Sequence, residues 1–195
     1  MGSRENILSA IAKNQPGFSP LPEFDFSIPE GINLIEKFCE VLTNIGGKAV
    51  EINNFDELIK FTNGYTEKNQ RVISNLTELS GLVEFISTSD AGPASLQNVG
   101  LAVLKGHFAI AENGAVWITE ELVAERALPF ICQHLAVVIK KRDIVASMQH
   151  AYERIGSEQY GFGTFIAGPS KTADIEQSLV LGAHGARTMT VFILK

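Results

Sequence analysis

The sequence predicts a single α/β domain in which helices flank a mainly parallel sheet. Its 195 residues suit one domain and are enough to bury a sizeable core. Helical and strand periodicities alternate from residue 31 to residue 86, as they do in chains that build parallel sheets. Short apolar runs such as His134–Ile139 have the length and composition of buried strands. Together these observations favour one α/β domain over residues 31–195.

The first half of the chain alternates helix and strand after an N-terminal arm. Residues 1–30 form that arm, a helix over Ser3–Lys13 followed by a segment in which four prolines alternate with phenylalanines. Apolar residues at helical spacing then predict a helix from Leu34 to Ile45, which Gly46 and Gly47 end. The elements predicted next are a strand over Lys48–Ile52, a helix over Asp56–Tyr65, and strands over Arg71–Leu76 and Leu82–Ile86.

The second half is richer in strand. A tight hairpin turn at Glu112-Asn113-Gly114 is expected between two apolar runs. The predicted strands are Gly100–Leu104, Phe108–Ala111, Ala115–Thr119, His134–Ile139, Phe162–Ala167 and Met189–Leu194. The predicted helices are a weak one over Glu121–Leu128, a strong one over Asp143–Ile155 and a short one over Thr172–Ser178.

Composition excludes several classes of function. A net charge of −6 gives little support to nucleic-acid binding through phosphate neutralisation. No apolar run reaches the roughly 20 residues of a membrane span, and the N-terminus lacks a hydrophobic signal core, so a cytoplasmic protein is expected. Cys39 and Cys132 are isolated and too few to ligate an iron–sulfur cluster or a structural zinc. No bound cofactor or metal is therefore predicted, and any redox chemistry is expected in a partner.

The segment Gly168–Glu176 carries the strongest local signal. It follows a predicted strand and opens a predicted helix, where free backbone N–H groups favour an anion such as a phosphate or a carboxylate. The alternative is an ordinary helix start, in which a hydroxyl caps the first turn and acidic residues complement the dipole. The candidate ligand-binding residues are Gly168, Pro169, Ser170, Lys171, Thr172, Asp174 and Glu176.

A second signal is the glycine-flanked histidine in Gly182–Arg187. His184 is a candidate general acid or base, because an imidazole titrates near neutral pH. Gly185 and Arg187 are candidate ligand contacts, and the guanidinium suits a carboxylate. It is equally consistent that His184 only holds the loop together and that Arg187 pairs with a nearby acidic residue.

The turn Glu112-Asn113-Gly114 is the third signal. Glu112 is a candidate nucleophile or base, and Asn113 and Gly114 are candidate ligand contacts. An exposed acidic turn residue is the plainer interpretation of Glu112. The polar loop Thr88–Pro93 follows a predicted strand, which is weaker support for a ligand site.

The order of the segments Glu112–Gly114, Gly168–Glu176 and Gly182–Arg187 along the chain resembles that of the LUD domain. The compact single-domain organisation resembles the lactate utilization protein C family. The most specific part is Gly168–Glu176, in which the family usually has arginine where this chain has Lys171. Ala186 stands where the family usually has proline, and Asn113 stands where it usually has threonine. The resemblance runs from about Arg71 to the C-terminus.

The resemblance implies a fold similar to the NagB/RpiA/CoA-transferase-like group. It also implies a non-redox subunit of an L-lactate utilization system, in which iron–sulfur partner proteins take part in oxidising L-lactate to pyruvate. Two alternatives stay open at this point. One is an independent enzyme on a CoA-transferase or sugar-phosphate-isomerase-like scaffold, with Glu112 as nucleophile or base. The other is a small-anion-binding module without catalysis.

Overall fold

A computed structural model describes residues 2–20, 31–85, 92–123, 125–175 and 178–195, with side chains given outside 173–179. The helices are α1 (Ser3–Lys13), α2 (Leu34–Asn44), α3 (Asp56–Thr66), α4 (Leu128–Ile131) and α5 (Met148–Ile155). The strands are β1 (Lys48–Ile52), β2 (Arg71–Ser74), β3 (Glu84–Phe85), β4 (Val99–Lys105), β5 (Phe108–Ile110), β6 (Ala115–Thr119), β7 (His134–Lys140), β8 (Ile144–Val145), β9 (Gly163–Ala167), β10 (Lys171–Ile175), β11 (Ser178–Leu181) and β12 (Thr188–Leu194).

A six-stranded parallel sheet forms the centre of the molecule, in the order β1-β12-β7-β4-β2-β3. Each described pairing in this sheet is parallel. Strands β4, β7 and β12 are almost entirely buried, which explains their continuous apolar sequences. The predicted α/β class with a mainly parallel sheet is confirmed.

The two faces of this sheet bury separate sets of side chains. On β7, Leu135, Val137 and Ile139 pack into one apolar cluster, whereas Ala136 and Val138 pack into the other. The first cluster also contains residues of α2 and of a second sheet, and the other cluster contains residues of α3. The alternation follows from the two-residue period of a strand, so helices cover the sheet on both faces.

A four-stranded mixed sheet, in the order β8-β5-β6-β9, lies on the α2 side. Its inner residues Val116 and Ile118 join the cluster on the central sheet. Its outer residues Ile110 and Trp117 pack against Ala151 of α5. The predicted hairpin at 112–114 is confirmed, because β5 and β6 pair in an antiparallel arrangement on either side of it.

The short helix predicted over Thr172–Ser178 is wrong. Strands β10 and β11 form an antiparallel hairpin there, with Lys171 opposite Leu181 and Thr172 opposite Val180. Hydrogen bonds immediately before the hairpin already hold its two arms side by side, since the Gly182 amide donates to the Ser170 carbonyl at 3.0 Å. Pairing therefore continues into β10 and β11, and β-branched residues in both arms suit strands.

Two other predicted helices need correction. The helix expected over Asp143–Ile155 begins only at Met148, because Ile144 pairs with Ala109 of β5 before it. The helix expected over Glu121–Leu128 is replaced by a 3-10 turn over Glu120–Leu122 and by the short α4. Pro129 suits the first turn of α4, where a missing N–H leaves no hydrogen bond unmade.

The N-terminal helix α1 forms where it was predicted, and all its residues are exposed. Residues 21–30 of the expected arm lie outside the described residues, as do residues 88–91 of the loop Thr88–Pro93. Among the helices that the structure describes, none has both the length and the apolar character that crossing a bilayer requires.

Candidate functional site

The turn Glu112-Asn113-Gly114 and the start of Gly168–Glu176 lie side by side. Ala115 at the start of β6 pairs with Ala167 at the end of β9. Gly114 and Gly168 are the next residues beyond this pair, so both lie at the same end of the second sheet. Both glycines have positive φ, +70° and +71°, and both contact the C-terminal end of α2 at Ile45. A β-carbon on Gly168 would approach the Ile45 carbonyl oxygen to 3.1 Å. These two glycines therefore have a packing role against α2.

The segments around Ser170 and Gly182–Arg187 are joined directly. The Ser170 amide donates to the Ala186 carbonyl at 2.8 Å, and the Gly182 amide donates to the Ser170 carbonyl at 3.0 Å. Gly185 packs against Ser170 so closely that a β-carbon on the glycine would lie 3.0 Å from the serine Cβ. The structure thus brings together the two segments that carry the strongest sequence signals.

An open pocket of about 360 Å³ lies beside this junction and is lined by His184, Gly185 and Arg187. Gln133 and Cys132 also line it. The Arg187 amide donates to the Gln133 carbonyl at 2.8 Å, directly before β7 and β12 begin as neighbours. The pocket is therefore at the amino edge of the central sheet. An imidazole and a guanidinium on one pocket wall can bind a small anion.

His134, the first residue of β7, makes a hydrogen bond and an aromatic contact at this edge of the sheet. The His134 imidazole lies 2.8 Å from the Thr188 hydroxyl, and its ring makes an edge contact with Tyr65 at 5.3 Å between centroids. Burial, and then the positive charge of Arg187, lower the pKa of His134 below its usual value. Burial and the Arg187 guanidinium thus both act against protonation of His134.

Glu112 occupies a helix-capping position instead of the pocket. Its Oε2 accepts a hydrogen bond from the Met148 amide at 2.8 Å, at the first residue of α5. A carboxylate there satisfies a free N–H and complements the helix dipole. Asn113 is also engaged locally, because its Oδ1 accepts from the Ala115 amide at 3.0 Å. Glu112 does not line the pocket that contains His184 and Arg187.

Lys171 extends toward the end of α2 and away from the pocket. Its Cε lies 4.0 Å from the position that a β-carbon would take on Gly46, and Pro169 packs against the same glycine. A cation at the C-terminal end of a helix is favourable, so this location has a structural explanation. Thr172 lies in β10 opposite Val180. The side chain of Asp174 and the whole of Glu176 lie outside the described residues.

The anion site expected at a helix N-terminus does not form in that way, because strand β10 and not a helix follows Ser170. The backbone N–H groups of Ser170 and Gly182 are used in hydrogen bonds between the two segments. A ligand at this edge would therefore be bound by side chains of Gly182–Arg187 and not by a helix dipole.

Cysteine and metal chemistry have limited support in the described part of the chain. Within it, no three His, Cys, Asp or Glu side chains are grouped so that they could hold a metal ion. Burial raises the pKa of the Cys132 thiol to about 12, and burial is also the main cause of the raised pKa of Cys39. Both cysteines are free thiols.

Sequence reasoning missed a group of polar residues at the opposite, carboxyl edge of the central sheet. Asn75, Lys105 and Lys140 stand at the ends of β2, β4 and β7, and they line a larger cavity. A usable signal was present, since Lys105 directly follows one predicted apolar strand and Lys140 directly follows another. In α/β folds the carboxyl edge is the usual location of ligands.

The fold and the site define an α/β protein with a parallel central sheet and a histidine- and arginine-lined pocket at its amino edge. Residues 94–194, just over half of the chain, match the sequence profile of the LUD domain. The chain belongs to the LUD domain family.

Relatives and a solved structure that are similar to this chain include the following three. Lactate utilization protein C of Bacillus pumilus is 32% identical over 95 residues, which cover 46% of this chain and 40% of that protein. Lactate utilization protein C of Oceanobacillus iheyensis is 22% identical, with 98% of each chain covered. A crystal structure of a DUF162 family protein from Deinococcus radiodurans has a TM-score of 0.62 and 17% identity, covering 83% of this chain and 96% of that one. That likeness concerns the fold alone.

Proposed function

We propose that this chain is the non-redox component of an L-lactate utilization system, and that it acts beside iron–sulfur partner proteins that oxidise L-lactate to pyruvate. The LUD domain and relatives named lactate utilization protein C support this proposal. The cysteine content is consistent with it, because two cysteines cannot supply the four ligands of a cluster.

The pocket lined by His184 and Arg187 is the site that serves this function. It binds a small carboxylate, or a phosphate, through the guanidinium and the imidazole. The observation that carries this part is the direct bonding of Ser170 to Gly182 and Ala186, because it holds the loop with the two side chains against the sheet edge.

The rim of the same pocket suits contact with a partner protein. Phe130 and Ile131 line the pocket and are 43% and 44% exposed, and Leu181, directly before Gly182, is 52% exposed. Exposed apolar side chains grouped near one site are typical of protein–protein contacts. We therefore assign the contact with the iron–sulfur partners to this rim.

Glu112 is a cap of α5 in this account and not a nucleophile. Its carboxylate is engaged by the Met148 amide, and it lies outside the pocket. The alternative of an independent enzyme built around Glu112 therefore has less support from the geometry.

Growth on L-lactate as the sole carbon source tests the proposal. A deletion strain of the organism that carries this chain is complemented with the wild type, with Arg187→Ala and with Arg4→Ala. Arg4 is an exposed arginine of α1 that does not line the pocket, so it is the matched control. We expect wild type and Arg4→Ala to restore growth and Arg187→Ala to fail, with all three proteins present at equal levels.

Normal growth of the deletion strain on L-lactate would overturn the proposal. Affinity purification in low salt tests the partner contact separately, because Phe130→Asp should lose iron–sulfur proteins that wild type retains. If Phe130→Asp retains those proteins, the rim is not the surface that contacts them, and the proposed ligand pocket is unaffected.

A further inference from the structure

A cavity of about 580 Å³ lies at the carboxyl edge of the central sheet. Asn75, Lys105 and Lys140 line it where β2, β4 and β7 end. Leu76 and Val138 contribute an apolar floor. This volume lies within the range of sites that bind cofactor-sized molecules.

The strand order places this cavity at a point where the sheet changes direction. The chain leaves β2 for β3 on one side, whereas the chain that leaves β4 returns to the sheet at β7 on the other side. Connections that diverge from two neighbouring parallel strands open a crevice between them at the carboxyl edge. Asn75 and Lys105 follow those two strands, so they stand at the mouth of the crevice.

Asn75 carries a buried acceptor that lacks a partner. Its Nδ2 donates to the Leu122 carbonyl at 2.6 Å, which fixes the orientation of the amide. Its Oδ1 is buried and has no hydrogen-bond partner among the described residues. An unpaired buried acceptor is costly, so an N–H or O–H donor that reaches this oxygen would be favoured there.

Cations gather around the same cavity although the chain has a net charge of −6. Lys105 and Lys140 line the cavity itself. A second open pocket of about 450 Å³ shares Lys140 and Leu194 with it. Lys141, Arg142 and Lys195 line that second pocket, and all are exposed. Strands β4 and β7 thus end in lysine, and Lys195 directly follows β12 and lies 3.8 Å from a carboxylate oxygen of Glu51.

Three carboxylates, Glu78, Glu121 and Asp143, also line the cavity, so the excess of positive charge lies in the basic strip beside it. Asp143 is bound to Arg154 at 2.6 Å, and Glu121 lies 3.4 Å from the His107 imidazole. Glu78 also lines the cavity, near Asn75 in sequence. Among the described ion pairs, none involves Lys105, Lys140, Lys141 or Arg142.

We propose that this cavity and the basic strip beside it bind an organic phosphate of about nucleotide size. The phosphate groups contact Lys140, Arg142 and their basic neighbours, and the body of the ligand occupies the cavity and donates a hydrogen bond to Asn75 Oδ1. The site is separate from the pocket with His184 and Arg187, which lies at the opposite edge of the sheet. This inference does not depend on the proposed function.

Isothermal titration calorimetry of the full chain tests it, with ADP as the probe. Adenosine and inorganic pyrophosphate are titrated separately, since each represents one half of ADP. We expect ADP to bind at least about tenfold more tightly than either half, because charged hydrogen bonds and cavity burial then act together. The double variant Lys140→Ala/Arg142→Ala should weaken ADP binding about tenfold or more. The exposed pair Lys60→Ala/Lys68→Ala is the matched control and should leave it unchanged.

Asn75→Ala should weaken ADP and adenosine alike and leave pyrophosphate unaffected. If Asn75→Ala unfolds because its hydrogen bond to the Leu122 carbonyl is lost, the double variant Lys140→Ala/Arg142→Ala still tests the proposal. The proposal is overturned if ADP does not bind, if pyrophosphate binds as tightly as ADP, or if both double variants behave alike.

Discussion

Gly182 shows how one residue controls the shape of the pocket at the amino edge. Its φ is +74°, and a β-carbon would lie 2.3 Å from Arg187 Cγ and 3.0 Å from Arg187 Cα. Only glycine satisfies both the backbone conformation and this close approach. The glycine therefore determines where the Arg187 side chain leaves the loop.

Gly182→Ala should lower the free energy of unfolding by about 2 kcal/mol, because left-handed backbone strain and a clash with backbone act together. Gly64→Ala is the matched control, since Gly64 lies in α3 with open space around it. That control should raise the free energy of unfolding by about 0.5–1 kcal/mol. Chemical denaturation measures both. Equal effects of the two substitutions would contradict the described loop geometry.

His107 gives a pH-dependent contribution to stability. Burial is the largest effect and lowers its pKa below the usual value, although Glu121 opposes the shift. Its Nε2 lies 2.6 Å from the Thr119 hydroxyl. The folded state therefore holds fewer protons at this residue than the unfolded state near the ordinary pKa. The resulting stability is present above a pH of about 6.5 and is lost as the pH falls through the folded-state pKa.

His107→Gln should consequently reduce the loss of unfolding free energy between pH 7.5 and pH 5. Glutamine can still form a hydrogen bond with the Thr119 hydroxyl, so the change removes mainly the titration. Urea denaturation at a series of pH values measures the effect. A variant whose stability falls with pH as steeply as wild type would show that His107 is not the source.

Helix α5 begins at Met148, whose amide donates a hydrogen bond to the Glu112 carboxylate in the turn between β5 and β6. Two distant segments, 36 residues apart, thus define the start of one helix. The amphipathic pattern of Asp143–Ile155 suggested a longer helix, and its first residues instead pair with β5 as strand β8. Local periodicity could not reveal this, because the partner strand lies far away in sequence.

Glu112→Gln should lower the free energy of unfolding by about 0.5–1 kcal/mol, because an amide is a weaker acceptor than a carboxylate at a helix start. Growth on L-lactate should remain normal. Glu158→Gln, an exposed carboxylate between α5 and β9, is the control for removing one negative charge. Loss of growth with unchanged stability would instead assign chemistry to Glu112.

The hairpin β10–β11 shows what the sequence could and could not predict. The family strings located the important segments, and the structure brings Ser170 against Gly182 and Ala186. The same strings suggested a helix after Ser170, because capping residues and acidic residues are typical of a helix start. Pairing with β11 decides in favour of a strand, and such pairing is invisible in a local window. The buried strands were predictable since apolar continuity alone identifies them.

At the scale of the whole molecule, the central sheet and the four-stranded second sheet are joined through one apolar cluster. Val116 and Ile118 of the second sheet share that cluster with Val137 of β7 and Val191 of β12. Neither sheet can expose this surface without loss of packing on the other. The two edges of the central sheet then carry separate pockets, one beside Arg187 and the other beside Lys140.

Unfolding should consequently be a single cooperative transition. Trp117 is the only tryptophan and reports on the second sheet, whereas far-ultraviolet circular dichroism reports on the entire chain. We expect the two signals to change at the same denaturant concentration. A fluorescence transition that precedes the circular dichroism transition would show that the second sheet unfolds alone.

In the proposed function, the loop from Gly182 to Arg187, held by Ser170, binds a small anion. Two-dimensional NMR of the 15N-labelled chain, titrated with sodium L-lactate and in parallel with sodium phosphate, measures this binding. We expect one of the two anions to shift the amide signals of Ser170, Gly182 and Arg187 most strongly, and Arg187→Ala to abolish these shifts. Unchanged signals in this loop with both anions, or shifts confined to the opposite edge of the sheet, would contradict it.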